Sequence, residues 1–395
     1  MIRHLFTLIW NRKRTSFLLI TEIFLAFVVL FVVGSTLVYN RQTFQAPLGF
    51  DYEQVWTVDL DNGSTTQTGA QIASTERQIL QRLQSLPGVR YAALSRSNTP
   101  FSGSHNTTDL SRKPREKGSN SNIYEVSDDL REVLRLPIRA GRWFDKGDGI
   151  DVGRAVVISE ETQNALFPGQ SALGQHLYSG DREMLVVGVT GPFRGDGDLS
   201  APKPAYFAYA SPQDTTASRL SMLLVRVRPG AGPALEKQMS EEVMAIGKGW
   251  TSSITPLAEQ RATQLQTGLA PLVALVLVCL FLVINVALGL FGVLWQTISQ
   301  RRAEIGLRRA IGASAGGISS QILGEILVVT TFGLALGLLV AAQFPLLGVL
   351  DVPAGVYLTA MLLAAGLIYL LTALCALYPS WLAAGIQPAV ALREE

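Results

Sequence analysis

The feature that most constrains this chain is a short charged stretch held between two long apolar runs: Arg301, Arg302, Ala303, Glu304, Ile305, Gly306, Leu307, Arg308, Arg309, Ala310, Ile311, Gly312, Ala313 and Ser314. About 20 apolar residues in a helix are needed to cross a bilayer core of roughly 30 Å. Four windows reach that length, at 17–39, 271–294, 318–342 and 356–377. A polar island between the second and third windows meets water on one side of a membrane only. The remaining large piece, 40–265, is of mixed character and reads as a water-exposed domain. The expected fold is a membrane protein with four transmembrane α-helices and one large α+β extracytoplasmic domain.

Charge sets the expected orientation. Arg3, Arg12, Lys13 and Arg14 precede the first window, which places the N-terminus in the cytoplasm. The first window is too long for a secretory h-region of about 7–15 residues and lacks a small-x-small cleavage site, so it reads as a retained anchor. The 40–265 domain is then outside, and Arg301, Arg302, Arg308 and Arg309 are inside. The connection 343–355 carries Asp351 but no Lys or Arg, which suits the outer face, and Arg393 returns to the cytoplasm. The expected localisation is the inner (cytoplasmic) membrane, with both termini cytoplasmic. A formal net charge of +2 gives no nucleic-acid footprint. Both cysteines, Cys279 and Cys375, lie inside apolar windows, so the extracytoplasmic domain folds without disulfides.

That domain shows a split duplication. Alternation predicts a strand over 53–60, helical spacing of Ile72, Ile79, Leu80, Leu83 and Leu86 predicts a helix over 69–86, and 89–96 reads as a second strand. The order recurs at 220–227, 233–246 and 251–257. Two βαβ units therefore flank an inserted lobe, 97–218, with one lobe formed by 50–96 and 219–258. Within the insert, 154–159 and 184–189 read as buried strands, and the polar, Gly/Ser-rich 102–121 as a mobile loop. Residues 260–266, just before the second window, suit a helical stalk. The segment boundaries follow: 1–16 cytoplasmic, spans at 17–39, 266–295, 318–342 and 356–377, a charged coupling helix within 296–317, an outer loop at 343–355 and a tail at 378–395.

Motifs of catalysis fall away on inspection. The nearest phosphate-loop look-alike, 169–176, lacks the Lys and the following Ser/Thr that such a loop needs. The pattern Gly312-Ala313-Ser314-Ala315-Gly316 matches a serine-hydrolase elbow but lacks the preceding strand, and reads as a helix stop and restart with glycine beyond the C-cap. His4, His105 and His176 are scattered and form no metal constellation. Glu22, Asn285 and Glu325 are polar groups inside spans. A proton or substrate relay is one reading; an interhelical hydrogen bond or reach to headgroups is the one adopted. Gly333 and Gly337 form a small-xxx-small pair for close helix packing, a candidate dimer seam. In the charged segment Ala303, Leu307, Ala310 and Ile311 share one stripe that Ser314 extends, and Glu304 and Arg308 are spaced i,i+4 in the favourable order. Gly306 in mid-helix costs about 1 kcal/mol against alanine, which points to close approach by another backbone.

The run Glu304-Ile305-Gly306-Leu307-Arg308-Arg309-Ala310-Ile311-Gly312-Ala313 and the ending Tyr378-Pro379-Ser380-Trp381-Leu382-Ala383-Ala384…Pro388-Ala389-Val390-Ala391-Leu392-Arg393 resemble the FtsX-like permease family, in its MacB type. Leu382 departs from that ending, where a basic residue is common. Leu48-Gly49-Phe50-Asp51, the stretch Leu136 to Phe144 and Val186-Val187-Gly188-Val189 are similar to the periplasmic core of the same type. The resemblance implies a non-catalytic permease subunit that pairs with a second copy or a paralogue. A separate ABC ATPase dimer carries ATP and Mg and docks on Arg301, Arg302, Glu304, Ile305, Gly306, Leu307, Arg308, Arg309, Ala310 and Gly312. This chain itself binds no cofactor. The stalk passes the motion outward, driving efflux through a periplasmic adaptor and an outer-membrane duct. Release of lipoproteins by a Lol-type permease, or signalling to an extracytoplasmic hydrolase as FtsX does, are the alternatives the resemblance allows.

Overall fold

The computed structural model describes residues 13–63, 67–96, 98–103, 105–149, 154–209, 222–348 and 352–384. The charges that set orientation at Arg3, Arg12, Asp351 and Arg393, together with His4 and the ending from Gly385, lie outside the described residues. The chain divides into two compact units, Met1–Gln42 with Ala270–Glu395, and Thr43–Leu269.

In chain order, helix α1 (Lys13–Gln45) is followed by strand β1 (Val55–Asp61), helix α2 (Gly69–Gln84) and strand β2 (Val89–Ser95). The insert then supplies β3 (Thr107–Leu110), β4 (Ser119–Val126), α3 (Leu130–Leu134), β5 (Ile138–Gly141), β6 (Arg154–Ser159), α4 (Glu160–Leu166), β7 (His176–Ser179), β8 (Arg182–Thr190) and β9 (Ala205–Tyr209). The second repeat is β10 (Met222–Val227), α5 (Pro233–Ile246) and β11 (Thr251–Pro256). Helix α6 (Leu257–Gln300), α7 (Arg302–Ala310), α8 (Ala315–Ala341), α9 (Gln343–Leu347) and α10 (Ala354–Ala384) complete the described residues. Four of these helices are long and apolar enough to cross a membrane: Phe17–Gln45, Leu257–Gln300, Ala315–Leu347 and Ala354–Leu382.

All described strands belong to one sheet, ordered β11-β1-β10-β2-β4-β9-β6-β8-β5, with β3 on β4 and β7 on β8. Strands β1 and β2 both run antiparallel to β10, and β10 and β11 both run antiparallel to β1. The two repeats therefore interleave as a split βαβ arrangement. Successive residues of a strand face opposite sides. Leu223 and Val225 join Val58, Leu60, Leu83, Met239 and Val243 beneath α2 and α5, while Leu224 joins Val55, Ala93, Tyr124, Trp143 and Phe207 on the other face. Burial on both faces suits the apolar run Leu223, Leu224 and Val225 in β10. Thr68 and Gln71 close a reciprocal capping box at the start of α2, satisfying donors a helix start leaves free.

One expectation fails here. The polar stretch 102–121 contains β3 and the start of β4, paired in register from Thr107↔Asn122 to Leu110↔Ser119. Thr107, Thr108 and Asp109 suit β3, which lies off the main path of the sheet on β4, while Ser121 and Asn122 of β4 are buried; Ser104 lies outside the described residues.

In the helical unit, Ile23, Phe27 and Phe31 of α1 share a core with Leu334 of α8 and with Tyr357, Ala360 and Met361 of α10. A β-carbon on Gly333 would stand 2.8 Å from Ile23, and one on Gly337 2.4 Å from Phe27. The two glycines are thus the groove that seats α1 in the same chain. The dimer seam expected there is corrected, because the space a second copy would need is filled by these side chains.

Candidate functional site: a charged hairpin and a helix clasp

The charged segment forms a tight turn between two membrane-length helices. Helix α6 runs on to Gln300, Arg301 breaks the helical path, α7 occupies nine residues, and α8 restarts at Ala315. The helix inside the expected 296–317 segment is therefore shorter than that segment. The stop at its end is chemical. Gly312 adopts a left-handed φ of 105°, which a side chain disfavours. Its N–H donates to the Arg309 carbonyl at 3.1 Å, and the Ala313 N–H to the Arg308 carbonyl at 3.0 Å. This 5→2 and 6→1 pair is a Schellman closure. Ser314 Oγ then accepts the Gly317 N–H at 3.1 Å and caps α8. The hydrolase-like pattern is thus spent on ending one helix and starting the next.

A miniature core holds the hairpin: Ile298 of α6, Ile305 of α7 and Ile318 of α8, with Ala313 and Ile322 against them. Gly306 is buried beside Ile305. Around this core runs a polar chain. Arg301 Nη1 donates to Glu325 Oε2 at 2.9 Å, Gln321 Nε2 to Glu325 Oε1 at 3.1 Å, and Arg308 Nη1 to Gln321 Oε1 at 3.2 Å. Arg308 also pairs with Glu304, one turn earlier in α7. The intraspan carboxylate Glu325 is thereby brought to the expected coupling residues Arg301, Glu304 and Arg308. The stripe of Leu307 and Ile311 stays open, 51% and 79% exposed, as do Ala303 and Ala310. Arg302 is exposed and Arg309 half-buried.

Two expected site residues stand elsewhere. Asn285 Nδ2 donates to the Phe281 carbonyl of its own helix at 2.8 Å, so it makes this bond within α6 rather than between helices. Glu22 of α1 lies against α6, where a β-carbon on Gly289 would be 2.2 Å from its carboxylate. Neither touches the hairpin's polar chain. Ser380 of α10 donates to the Ala376 carbonyl at 2.6 Å, one turn back, beside Pro379, which has no N–H to give.

The second unit carries a clasp that the sequence reading did not find. The loop after β8 holds Arg194, 1% exposed. Its guanidinium donates to four carbonyls: Ala46 at 2.5 Å, Ser200 at 2.9 Å, Asp198 at 2.6 Å and Gly197 at 3.5 Å. Its backbone N–H donates to the Leu48 carbonyl at 3.0 Å. The same loop grips the start of α6. Arg261 forms a fork on Asp198, with Nε and Nη2 at 2.8 and 2.9 Å, and lies over the Tyr52 ring with 4.6 Å to its centre. Gln264 Nε2 donates to the Asp196 carbonyl at 2.9 Å. Gly197, at φ 91°, leaves room for Gln264, whose Oε1 would be 2.2 Å from a β-carbon there. Tyr124 also lines this loop; burial, aided by the Asp196 charge, pushes its phenol well above the ordinary range. The segment following α1 and the first turns of α6 are thus tied to one loop. The stretch 260–266, expected as a stalk, is helical and is the part so held. A Gly-Asp-Gly-Asp run signals a turn but not which helices it fastens, so no pattern marked Arg194.

The comparisons agree with this architecture. The profile of the MacB-like periplasmic core domain matches residues 16–242, and that of the FtsX-like permease C-terminal region matches 273–388. Among curated relatives, a macrolide export ATP-binding/permease protein MacB 1/2 of Paracoccus denitrificans is 29% identical over 58% of this chain and 35% of its own length. MacB 2 of Aeromonas hydrophila is 27% identical over 71% of this chain and 44% of its own length. The chain thus spans well under half the length of these relatives. Among solved structures, the periplasmic region of MacB from Actinobacillus actinomycetemcomitans aligns with a TM-score of 0.40 at 16% identity, covering 56% of this chain and 97% of that one. With one profile covering more than half of the chain and the other its C-terminal part, this chain belongs to the MacB-type, FtsX-like permeases.

Proposed function

We propose that the chain is the membrane subunit of an ABC transporter, driven by a separate ATPase that docks on α7. The observation that carries this reading is the open stripe of Leu307 and Ile311 on a short charged helix between two membrane-length helices. A solvated interfacial helix has no need of a rigid frame. Here the Schellman closure, the three-isoleucine core and the Arg301–Glu325 pair hold the stripe fixed. Preorganisation of this kind lowers the ordering cost of docking. ATP and Mg belong to the partner, and this chain contributes no catalytic group. The arginines of the hairpin support a cytoplasmic position for this face, with the sheet domain outside. A push on α7 enters α6, whose first turns are gripped by Asp198 through Arg261. Two copies, or a copy and a paralogue, form the working unit. The second membrane-length helix has only 11% of its most apolar window buried by its own chain, against 28–33% in the other three, which leaves surface for that second subunit. The export named in the curated relatives supports efflux as the direction of work, and an adaptor and an outer-membrane duct would receive it.

The test is co-purification of the ATPase with Leu307→Asp/Ile311→Asp. Both side chains are exposed, so insertion and folding are expected to persist while the ATPase is lost. Retention of the ATPase at the unsubstituted level would sink the docking assignment.

A further inference from the structure

A cleft of about 800 Å³ opens at the end of the sheet where β1 begins and β10 ends. Val55 pairs with Arg226 at this end, and Trp56 pairs with Pro256, the last residue before α6. The cleft therefore lies at the end of the domain where the chain arrives from α1 and departs into α6. It gathers four arginines, Arg90, Arg135, Arg226 and Arg228, around Asp51 and Glu53.

The arginines divide into a fixed floor and a free mouth. Arg226 is 2% exposed. Its Nε donates to the Val133 carbonyl at 2.6 Å, its Nη1 to Asp51 Oδ2 and to the Glu53 carbonyl at 3.2 Å each, and its Nη2 to the Asp51 carbonyl at 3.2 Å. Asp51 Oδ2 also receives Arg135 Nη1 at 3.0 Å. One carboxylate is thus shared by two guanidinium groups. Arg90 and Arg228 are exposed and make no ion pair with another described residue. The result is a concave surface with four positive groups against two negative ones. Burial pulls Arg226 below its ordinary range; Asp51 opposes this, and the neighbouring charges of Arg135 and Arg90 add to it.

The backbone is also shaped here. Gln54 and Arg135 both hold left-handed conformations, φ 59° and 52°, and the β10–β2 register shifts between Arg226 and Val227. Non-glycine residues in that region are strained and cluster at ligand clamps. Bulges re-aim side chains beside sites in the same way.

We propose that this cleft binds a phosphate group, with Arg90 and Arg228 as the contacting forks and with Arg226 and Arg135, pinned on Asp51, as its positive floor. Planar guanidinium groups match tetrahedral oxyanions bidentately, and two exposed guanidinium groups lining one concavity suit a compact anion. A lipid headgroup and a soluble phosphate ester share that chemistry.

The experiment uses the full chain in a neutral detergent, with glycerol 3-phosphate titrated calorimetrically and phosphatidylglycerol retention read by native mass spectrometry. The variant is Arg90→Gln/Arg228→Gln, with Arg182→Gln as a charge control and thermal melting to establish that all three chains are folded. At least tenfold weaker binding in the double variant, with the control unchanged, is expected. A loss seen with glycerol 3-phosphate identifies a soluble ester as sufficient; a loss confined to phosphatidylglycerol identifies the headgroup. Equal binding by the double variant and the unsubstituted chain, or no binding of either probe, overturns the site. So does a polyglutamate peptide that binds and is not displaced by phosphate.

Discussion

Both units fasten a helix with an arginine on a carboxylate, and the two fastenings differ in kind. In the helical unit Arg301 meets Glu325 through one nitrogen at 2.9 Å, over a core of three isoleucines. In the sheet unit Arg261 meets Asp198 through a two-pronged fork, and Arg194 adds four backbone carbonyls under full burial. A contact through one nitrogen fixes geometry less than a two-pronged fork does. A buried guanidinium serving several acceptors is costly to disturb, because every acceptor is stranded at once. On the proposed function, the hairpin is the contact a partner moves and the clasp is the part carried along as one piece.

The largest effect that sharpens this contrast is expected from Arg194→Ala. It strands the Ala46, Asp198 and Ser200 carbonyls in a buried site and leaves a cavity. A loss of about 3–5 kcal/mol is expected, by analogy with breaking a buried charged network. The check is thermal melting of the purified chain by circular dichroism. A change in melting temperature no larger than that of an exposed substitution would remove the clasp from the comparison.

Next comes Gly337→Leu. The added side chain meets Phe27 of α1 where even a β-carbon would be 2.4 Å away. Overpacking of this kind costs about 1–3 kcal/mol. Protease accessibility of the membrane unit should rise, while melting of the sheet domain stays as it was. An unchanged digestion pattern would return the glycine pair to the lipid or to another copy.

How much of this was legible beforehand depends on whether a residue's partner is local. The strand Arg154–Ser159 and the helix Pro233–Ile246 stood out because periodicity is a property of neighbours in sequence. The Schellman stop at Gly312 was readable for the same reason. The pairing of β1 with β10 rather than with β2 was not, since the insert separates partners by more than a hundred positions. Arg194 carried no signal because its acceptors are carbonyls, which every residue possesses. Glu325 was visible as an anomaly in an apolar span, but its partner was not: Arg301 is 24 positions away, across two helix boundaries. The stretch 102–121 misled because its strand residues are mostly Ser, Thr, Asp and Asn, so no apolar alternation marks the β3–β4 pairing.

The smallest expected effect is the most diagnostic. Glu325→Gln removes the charge under Arg301 but keeps an acceptor oxygen within reach. The amide keeps one hydrogen bond to Arg301, so about 1 kcal/mol is at stake, and melting should change little. If the hairpin is a movable contact under a docked ATPase, the visible change is functional: ATPase turnover in the assembled transporter should shift while the amount of bound ATPase stays constant. Arg261→Lys, which keeps charge but gives up the fork on Asp198, should do the reverse: it lowers melting by about 1–2 kcal/mol and leaves docking intact. If Glu325→Gln lowers melting as much as Arg261→Lys does, the two fastenings are of one kind. The division between a movable hairpin and a rigid clasp would then fail, because a contact that rigidly holds α7 against α8 cannot also be the one that yields to its partner.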